Sequence, residues 1–397
     1  MTATTADIRR ENSYAVVRAI HADTPASRRG VAKATGLSFA TVSTICANLI
    51  DQGIVVESSR ERPHTGRPTG LMTLDGAYGL VIGVDIAETY LHAQTFNAAL
   101  EPLTWTHLPL NPSSTAPEDV VDPVRLAIQT EAARHPGQPL LGVGVSAPGV
   151  VDTSGGVSIF AAGWAWHDIS LLTMIADGLD ADVHLDNPLR LLAVAESWTD
   201  PRRLDQTYVV LNLGTGVGAG IVIDGRLFRG QTNSAGEWGH AVLVSDGRPC
   251  RCGSTGCVEA YIGAPGIIAT LATIDPDSPL LDPDDQTATI AAIAAACGQG
   301  DPTATAVIAE TARHFGDAVA SIINVLNPEV VIMAGWVSAQ LGDVILRQAR
   351  PRIDAHTLAV PRSVVDFQVN HADSITNPVS LGAAALALER HLTGVPI

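Results

Sequence analysis

The sequence predicts an α/β protein, with an N-terminal winged helix-turn-helix over residues 1–75 and a two-lobed body over 80–397. Three observations carry this. Two short helical stretches meet at Thr35-Gly36-Leu37-Ser38 and are followed by two strand-like runs. A strand, a turn and a second strand occur between Leu80 and Phe96, and the plan recurs between Tyr208 and Val222. Alanine-rich helical segments at 189–198, 288–297, 304–325 and 382–391 fill the intervals, and strands alternating with helices imply an α/β body.

In the first module, Ser27 to Leu37 reads as a short helix with Ser27 as N-cap and Gly36 as the left-handed stop. A second helix begins at the N-cap Ser38 and carries Val42, Ile45 and Leu49 at helical spacing, an apolar stripe. Ala40, Thr41, Ser43, Thr44 and Asn48 then face outward, small or hydrogen-bonding side chains suited to close approach to base edges in a major groove. Ile54-Val55-Val56 and Leu71-Met72-Thr73-Leu74 read as strands. Their connection carries Arg60, Arg62, His64 and Arg67, a cationic wing for phosphates. The expected DNA contacts are Arg28, Arg29, Ser38, Ala40, Thr41, Ser43, Thr44, Arg60, Arg62 and Arg67. The plain alternative is a small helical interaction domain whose polar face meets only solvent.

Charge separates the two parts. The chain carries a net −17, yet residues 1–75 hold nine Lys/Arg against seven Asp/Glu, and the remainder 15 against 34. Such asymmetry assigns any polyanion to the first module, since the acidic body repels it. No apolar run approaches the roughly eighteen residues of a membrane span, and Met1 to Ser13 lacks the apolar core of a signal peptide. A soluble, cytoplasmic protein without membrane contact is expected.

In the body, Leu80 to Ile86 and Tyr90 to Phe96 form the first strand pair, and a third strand–glycine unit lies at Val330 to Gly335. The doubled plan implies two related lobes around a cleft. Glycines at strand ends free backbone N–H groups for an anion, or simply allow tight turns.

Between these units stand His240, Cys250, Cys252 and Cys257. Three thiols and one imidazole make a closed tetrahedral set, the composition of a structural zinc site. Gly253 and Gly256 let the chain curl enough to bring the sulfurs onto one ion. The alternatives are a disulfide or unpaired buried thiols; five cysteines is an odd number and no secretory signal is visible. Cys46 and Cys297 read as small core residues, and tryptophans 164, 166 and 198 as core or cleft-lining.

These motifs resemble one family. Gly36-Leu37-Ser38, Ala40-Thr41-Val42-Ser43 and Gly66-Arg67-Pro68 resemble the winged-helix module of ROK-family repressors. The body resembles the ROK family of repressors, open reading frames and sugar kinases in Gly142 to Gly149, Leu213 to Gly218, Gly236 to His240, Cys250 to Glu259, Asn327-Pro328-Glu329 and Leu381 to Ala384. The resemblance implies an actin/hexokinase-like (RNase H-like) ATPase fold, a lobe boundary near 190–207, and a C-terminal helix at 381–392 returning to the first lobe.

It also implies which residues matter. Family kinases place an aspartate base about eight residues before a helical glutamate; here that glutamate is Glu196 and the matching position is Pro188, which has no proton acceptor. Asp186 stands two residues off, too far for proton abstraction in a fixed pose. The first phosphate loop of the kinases, Asp-x-Gly-Gly-Thr, reads Asp85-Ile86-Ala87-Glu88-Thr89, and the third glycine pair reads Ala334-Gly335-Trp336. No catalytic residue is therefore assigned. The family's sugar contacts correspond to Asn187, Glu237, His240 and Glu259, all present.

The expectation is a DNA-binding transcriptional regulator of carbohydrate metabolism, a repressor. It answers to a sugar or sugar-derivative effector, holds a structural zinc, and reads double-stranded operator DNA as a dimer or tetramer. The alternative is an ATP-dependent sugar kinase with an accessory DNA-binding module.

Overall fold

A computed structural model describes residues 4–61, 69–111, 116–370 and 376–394. The chain forms two compact units: one runs to Leu204 and regains the segment from Ser374, the other spans Asp205–Asp373.

The first unit opens on α1 (Thr5–Ala22), whose polar first turns hide its helical period in the sequence. Its second half buries Val16, Val17, Ala19 and Ile20. After β1 (Ala26–Ser27), α2 (Arg28–Thr35) is capped by Ser27 Oγ, which accepts from Gly30 N at 3.1 Å, and ends at Gly36 with φ 68°. In α3 (Phe39–Asp51), Ser38 Oγ accepts from Thr41 N at 3.1 Å, and Val42, Ile45, Cys46 and Leu49 are buried. β2 (Val55–Glu61) and β3 (Thr69–Leu74) complete an antiparallel sheet in the order β1-β3-β2. These elements make a winged helix-turn-helix. Arg60 lies on β2 opposite Gly70; Arg62, His64 and Arg67 fall outside the described residues.

The same unit continues with β4 (Leu80–Ile86), β5 (Tyr90–Asn97), β6 (Pro102–Pro109), α4 (Pro117–Ala133) and β7 (Leu140–Ser146). A smaller antiparallel sheet follows, β8 (Val150–Asp152), β9 (Val157–Ala161) and β10 (Trp166–Ile169), then α5 (Leu171–Ala176), β11 (Val183–Asp186) and α6 (Pro188–Thr199). The main sheet runs β11-β7-β4-β5-β6, with β4, β7 and β11 parallel and β5 and β6 antiparallel. Val84 and Val145 of the sheet belong to one apolar cluster with Val124 and Ile128 of α4. Trp164, Trp166 and Trp198 are buried, as is Cys46.

The second unit repeats the plan. β12 (Tyr208–Leu213), β13 (Val217–Ile223) and β14 (Arg226–Leu227) precede a long loop, then α7 (Glu259–Ile262), α8 (Ala264–Ile274), α9 (Gln286–Gly298) and α10 (Pro302–Leu326). β15 (Val330–Ala334), α11 (Trp336–His356), α12 (Ala359–Val364) and β16 (Asp366–Val369) close it. The sheet runs β14-β13-β12-β15-β16, again a hairpin continued by parallel strands. Phe315, Val319 and Ile323 of α10 join Val337, Leu341 and Ile345 of α11 in its core.

The chain then returns to the first unit as α13 (Pro378–Gly394). A β-carbon on Gly83 would lie 1.7 Å from Ser380 O, one on Gly144 1.8 Å from Ala383 O, and one on Gly382 1.8 Å from Leu191 O. Glycine therefore sets how closely α13 seats on β4, β7 and α6. Among the described residues no helix is long and apolar enough to cross a membrane.

Candidate functional sites

The four predicted metal ligands converge within the second unit. One donor atom from each of His240, Cys250, Cys252 and Cys257 lies within 4.8 Å of the others. Cys250 Sγ is 3.6 Å from His240 Nδ1, and Cys252 Sγ is 3.8 Å from Cys257 Sγ. Tetrahedral zinc with Zn–S near 2.3 Å requires sulfurs about 3.8 Å apart, so the spacing fits that ion and is far too long for a disulfide. Turn geometry makes the convergence possible. Gly253 N donates to Cys250 O at 3.0 Å with Gly253 at φ 91°, and Gly256, at φ 76°, would place a β-carbon 1.8 Å from Val244 O. Burial pushes the Cys250 thiol up to about 12 and raises that of Cys257; a bound cation reverses this by taking the thiolates.

Glu237 and His240 share one short 3-10 turn, Glu237–His240, packed against β13. A β-carbon on Gly236 would come within 1.8 Å of Ala219 O and one on Gly239 within 2.0 Å of Val217 O, which explains both glycines of the motif. Glu259 opens α7; its Oε2 accepts from Val217 N at 3.0 Å and its Oε1 lies 3.7 Å from Cys250 Sγ. The ligand loop, the glycine turn of β12–β13 and Glu259 are thus one connected structure.

In the first unit Asn187 caps α6. Its Oδ1 accepts from Leu189 N at 2.8 Å and its Nδ2 donates to Gly149 O at 2.6 Å, and the residue is buried. Pro188 is the first residue of α6, a position proline favours because its missing N–H needs no partner there. Asp186 is fully buried and its Oδ1 takes both Asn187 N at 2.8 Å and Arg190 Nε at 2.7 Å. The ion pair with Arg190 holds Asp186, the carboxylate two residues before the proline. The opposite charges at i, i+4 were visible in the sequence; their complete burial was not. Asp85 is buried, bonded by Tyr90 Oη at 3.0 Å and Asn377 Nδ2 at 3.1 Å, and burial raises its carboxyl above the usual range.

In the winged helix-turn-helix, where the sequence places the DNA contacts, Arg28 pairs with Glu57 at 2.9 Å. Ala40 and Thr44 of α3 are exposed, Thr41 and Ser43 half-buried. Ser38 Oγ lies 2.8 Å from Thr41 Oγ1, and the Thr44 hydroxyl donates to Ala40 O at 3.1 Å. The residue sequence reasoning passed over is Phe39, at the first helical position and 54% exposed.

Comparison with known proteins agrees with this architecture. The model of the ROK family matches residues 81–390. The chain is similar to "Xylose repressor" of Caldicellulosiruptor bescii, 27% identical over 391 residues, 96% of each chain. It is similar to "Glucokinase" of Halalkalibacterium halodurans, 31% identical over 236 residues, 58% of this chain and 71% of that one. Its fold is similar to that of a solved ROK family transcriptional regulator described as a homolog of E. coli MLC protein, with a TM-score of 0.80, 24% identity, and 97% and 98% of the two chains covered.

Proposed function

Because the chain belongs to the ROK family, we propose that it is a sugar-responsive, DNA-binding transcriptional repressor of carbohydrate metabolism, working in the cytoplasm and without phosphoryl transfer. The observation that carries this is Pro188 at the first position of α6, with Asp186 held in a buried pair with Arg190. A kinase needs a carboxylate there to accept the sugar hydroxyl proton, and loss of such a base lowers rate by about 10²–10⁴. The winged helix-turn-helix ahead of the body supports the DNA half of the reading.

His240, Cys250, Cys252 and Cys257 would hold a zinc ion, whose contribution is structural: it clamps the loop between the Glu237 turn and α7. With His240 bound through Nδ1, its Nε2 is left to meet a ligand. The effector residues we propose are Asn187, Glu237, His240 and Glu259. Carboxylates and an imidazole suit the vicinal hydroxyls of a sugar. The DNA contacts are Arg28, Arg29, Ser38, Ala40, Thr41, Ser43, Thr44, Arg60, Arg62 and Arg67, and a homodimer would read two half-sites spaced by whole helical turns.

The effector acts by preferring one of two states of the protein. Within the first unit α6 joins the relevant parts: Asn187 caps its start, and Trp198 near its end packs on α1 of the DNA-binding module. Gel retardation of the DNA upstream of its own operon, with and without sugars, tests the reading. We expect a shift at low salt that a sugar releases, and no ADP formation with ATP and hexoses. Robust sugar-dependent ADP release would favour the second reading, a sugar kinase, which the similarity to a glucokinase keeps in view.

A further inference from the structure

The outer face of α3 has few of the groups that read bases by hydrogen bonding. Arginine or lysine reads guanine bidentately, and asparagine or glutamine reads adenine. Between Phe39 and Asp51 there is no Arg, Lys or Gln, and the one amide, Asn48, stands in the third turn. Three of the hydroxyls are engaged locally, Ser38 with Thr41 in the cap and Thr44 with its own helix at Ala40 O, while Ser43 is half-buried. What the exposed residues of the first two turns present is mainly carbon, namely the methyls of Ala40 and Thr44 and the ring of Phe39.

Phe39 is the telling residue. Helical spacing puts it on the stripe of Val42, Ile45 and Leu49, all buried, yet Phe39 stays 54% exposed. It lies at the first helical position, one turn before Ser43, where the start of a recognition helix meets base edges. An exposed phenyl group beside two methyl-bearing side chains, on a module richer in cations than the acidic body, fits one feature of the major groove: the 5-methyl of thymine.

We infer that Phe39, flanked by Ala40 and Thr44, sets operator specificity by apolar contact with thymine methyl groups. The inference rests on the DNA-binding reading above. It assigns direct readout by α3 to A·T pairs and leaves affinity to phosphate contacts from Arg28, Arg29 and the wing.

The test uses the full-length chain to select binding sites from a random-sequence duplex pool. Each thymine of the selected site is then replaced singly by uracil, which removes the methyl group alone. At one or two thymines per half-site the wild type should lose about fourfold in affinity, the worth of one buried methyl group. Phe39→Ala should bind the intact site more weakly by a similar factor and be indifferent to those same replacements, while Phe39→Leu keeps most of the sensitivity. Uracil neutral at every position, essential positions without thymine, or a Phe39→Ala variant as methyl-sensitive as the wild type would each overturn the inference and leave DNA binding standing. The wild-type uracil scan decides even where a variant folds poorly. A pool that yields no preferred sequence overturns the DNA-binding reading, and this inference with it.

Discussion

The Arg18 guanidinium lies over the indole of Trp198, 4.5 Å from the ring centroid, and donates to the adjacent carbonyl, Ser197 O. His21, one turn on in α1, places Nε2 3.0 Å from Trp198 O, and Tyr14 meets the same indole edge-on at 6.3 Å. Three side chains of α1 therefore grip the end of α6. The module read as DNA-binding does not hang from the chain at residues 75–79 alone; it is fastened to the helix that Asn187 caps.

That grip should be measurable. Trp198→Ala removes a buried indole and should cost about 3–5 kcal/mol, whereas Arg18→Met, which keeps the packing and loses the charged bond, should cost about 2 kcal/mol. Because the two side chains touch, the double variant should lose less than the sum, by at least about 0.5 kcal/mol. Urea unfolding of the four proteins gives the numbers. Strict additivity would mean that the stacked pair carries no interaction of its own.

The metal loop gives a second outcome. We expect about one zinc per chain by elemental analysis, as a structural Cys3His site holds one ion. Cys257→Ser should bring the metal content close to zero and lower the unfolding temperature, since binding energy of a structural zinc is folding energy. A strong chelator should do the same to the wild type, reversibly on adding zinc. A protein purified free of metal, with unchanged unfolding after chelation, would remove zinc from the account.

Burial holds the His21 imidazole below its ordinary value of 6.5, against the opposing pull of its bond to Trp198 O. As pH falls, the unfolded chain takes up this proton first. The contribution to stability is therefore complete above about 6.5 and is lost as pH drops below it. His184 and His391 of the same unit are shifted the same way by burial. The urea midpoint should fall between pH 7.5 and 5.5, and His21→Gln should fall less. Equal slopes would show that His21 titrates alike in both states.

Local chemistry was the legible part of this chain. Ser27, Ser38 and Gly36 punctuate α2 and α3 as expected because a cap is a bond between near neighbours. The cluster of His240 with Cys250, Cys252 and Cys257 was readable because three thiols and an imidazole have few other uses, and the structure brings them together. What was hidden depends on partners far along the chain. α1 begins in polar residues and is held to α6 by contacts some 179 residues apart. Asn187, expected to meet ligand, also caps a helix and ties Gly149, a role no spacing reveals. Phe39 falls on the apolar stripe by period, yet the module's core ends before reaching it.

Tertiary closeness also decides between two glycines of one strand. Gly142 and Gly144 both face α13 from β7, so periodicity and propensity treat them alike. A β-carbon on Gly142 would find its nearest neighbours at 3.4 and 3.5 Å, ordinary contact, while one on Gly144 would sit 1.8 Å from Ala383 O. Gly142→Ala should then lie within about 1 kcal/mol of the wild type, helped by the smaller entropy of its unfolded chain. Gly144→Ala must push the backbone of α13 off the sheet and should cost about 3 kcal/mol or more. Since α13 also seats on α6 through Gly382 and Leu191 O, the displacement spreads to the helix that α1 grips. Urea unfolding of both variants separates them, and a Gly144→Ala protein as stable as Gly142→Ala would show that α13 sits farther from β7 than these distances state.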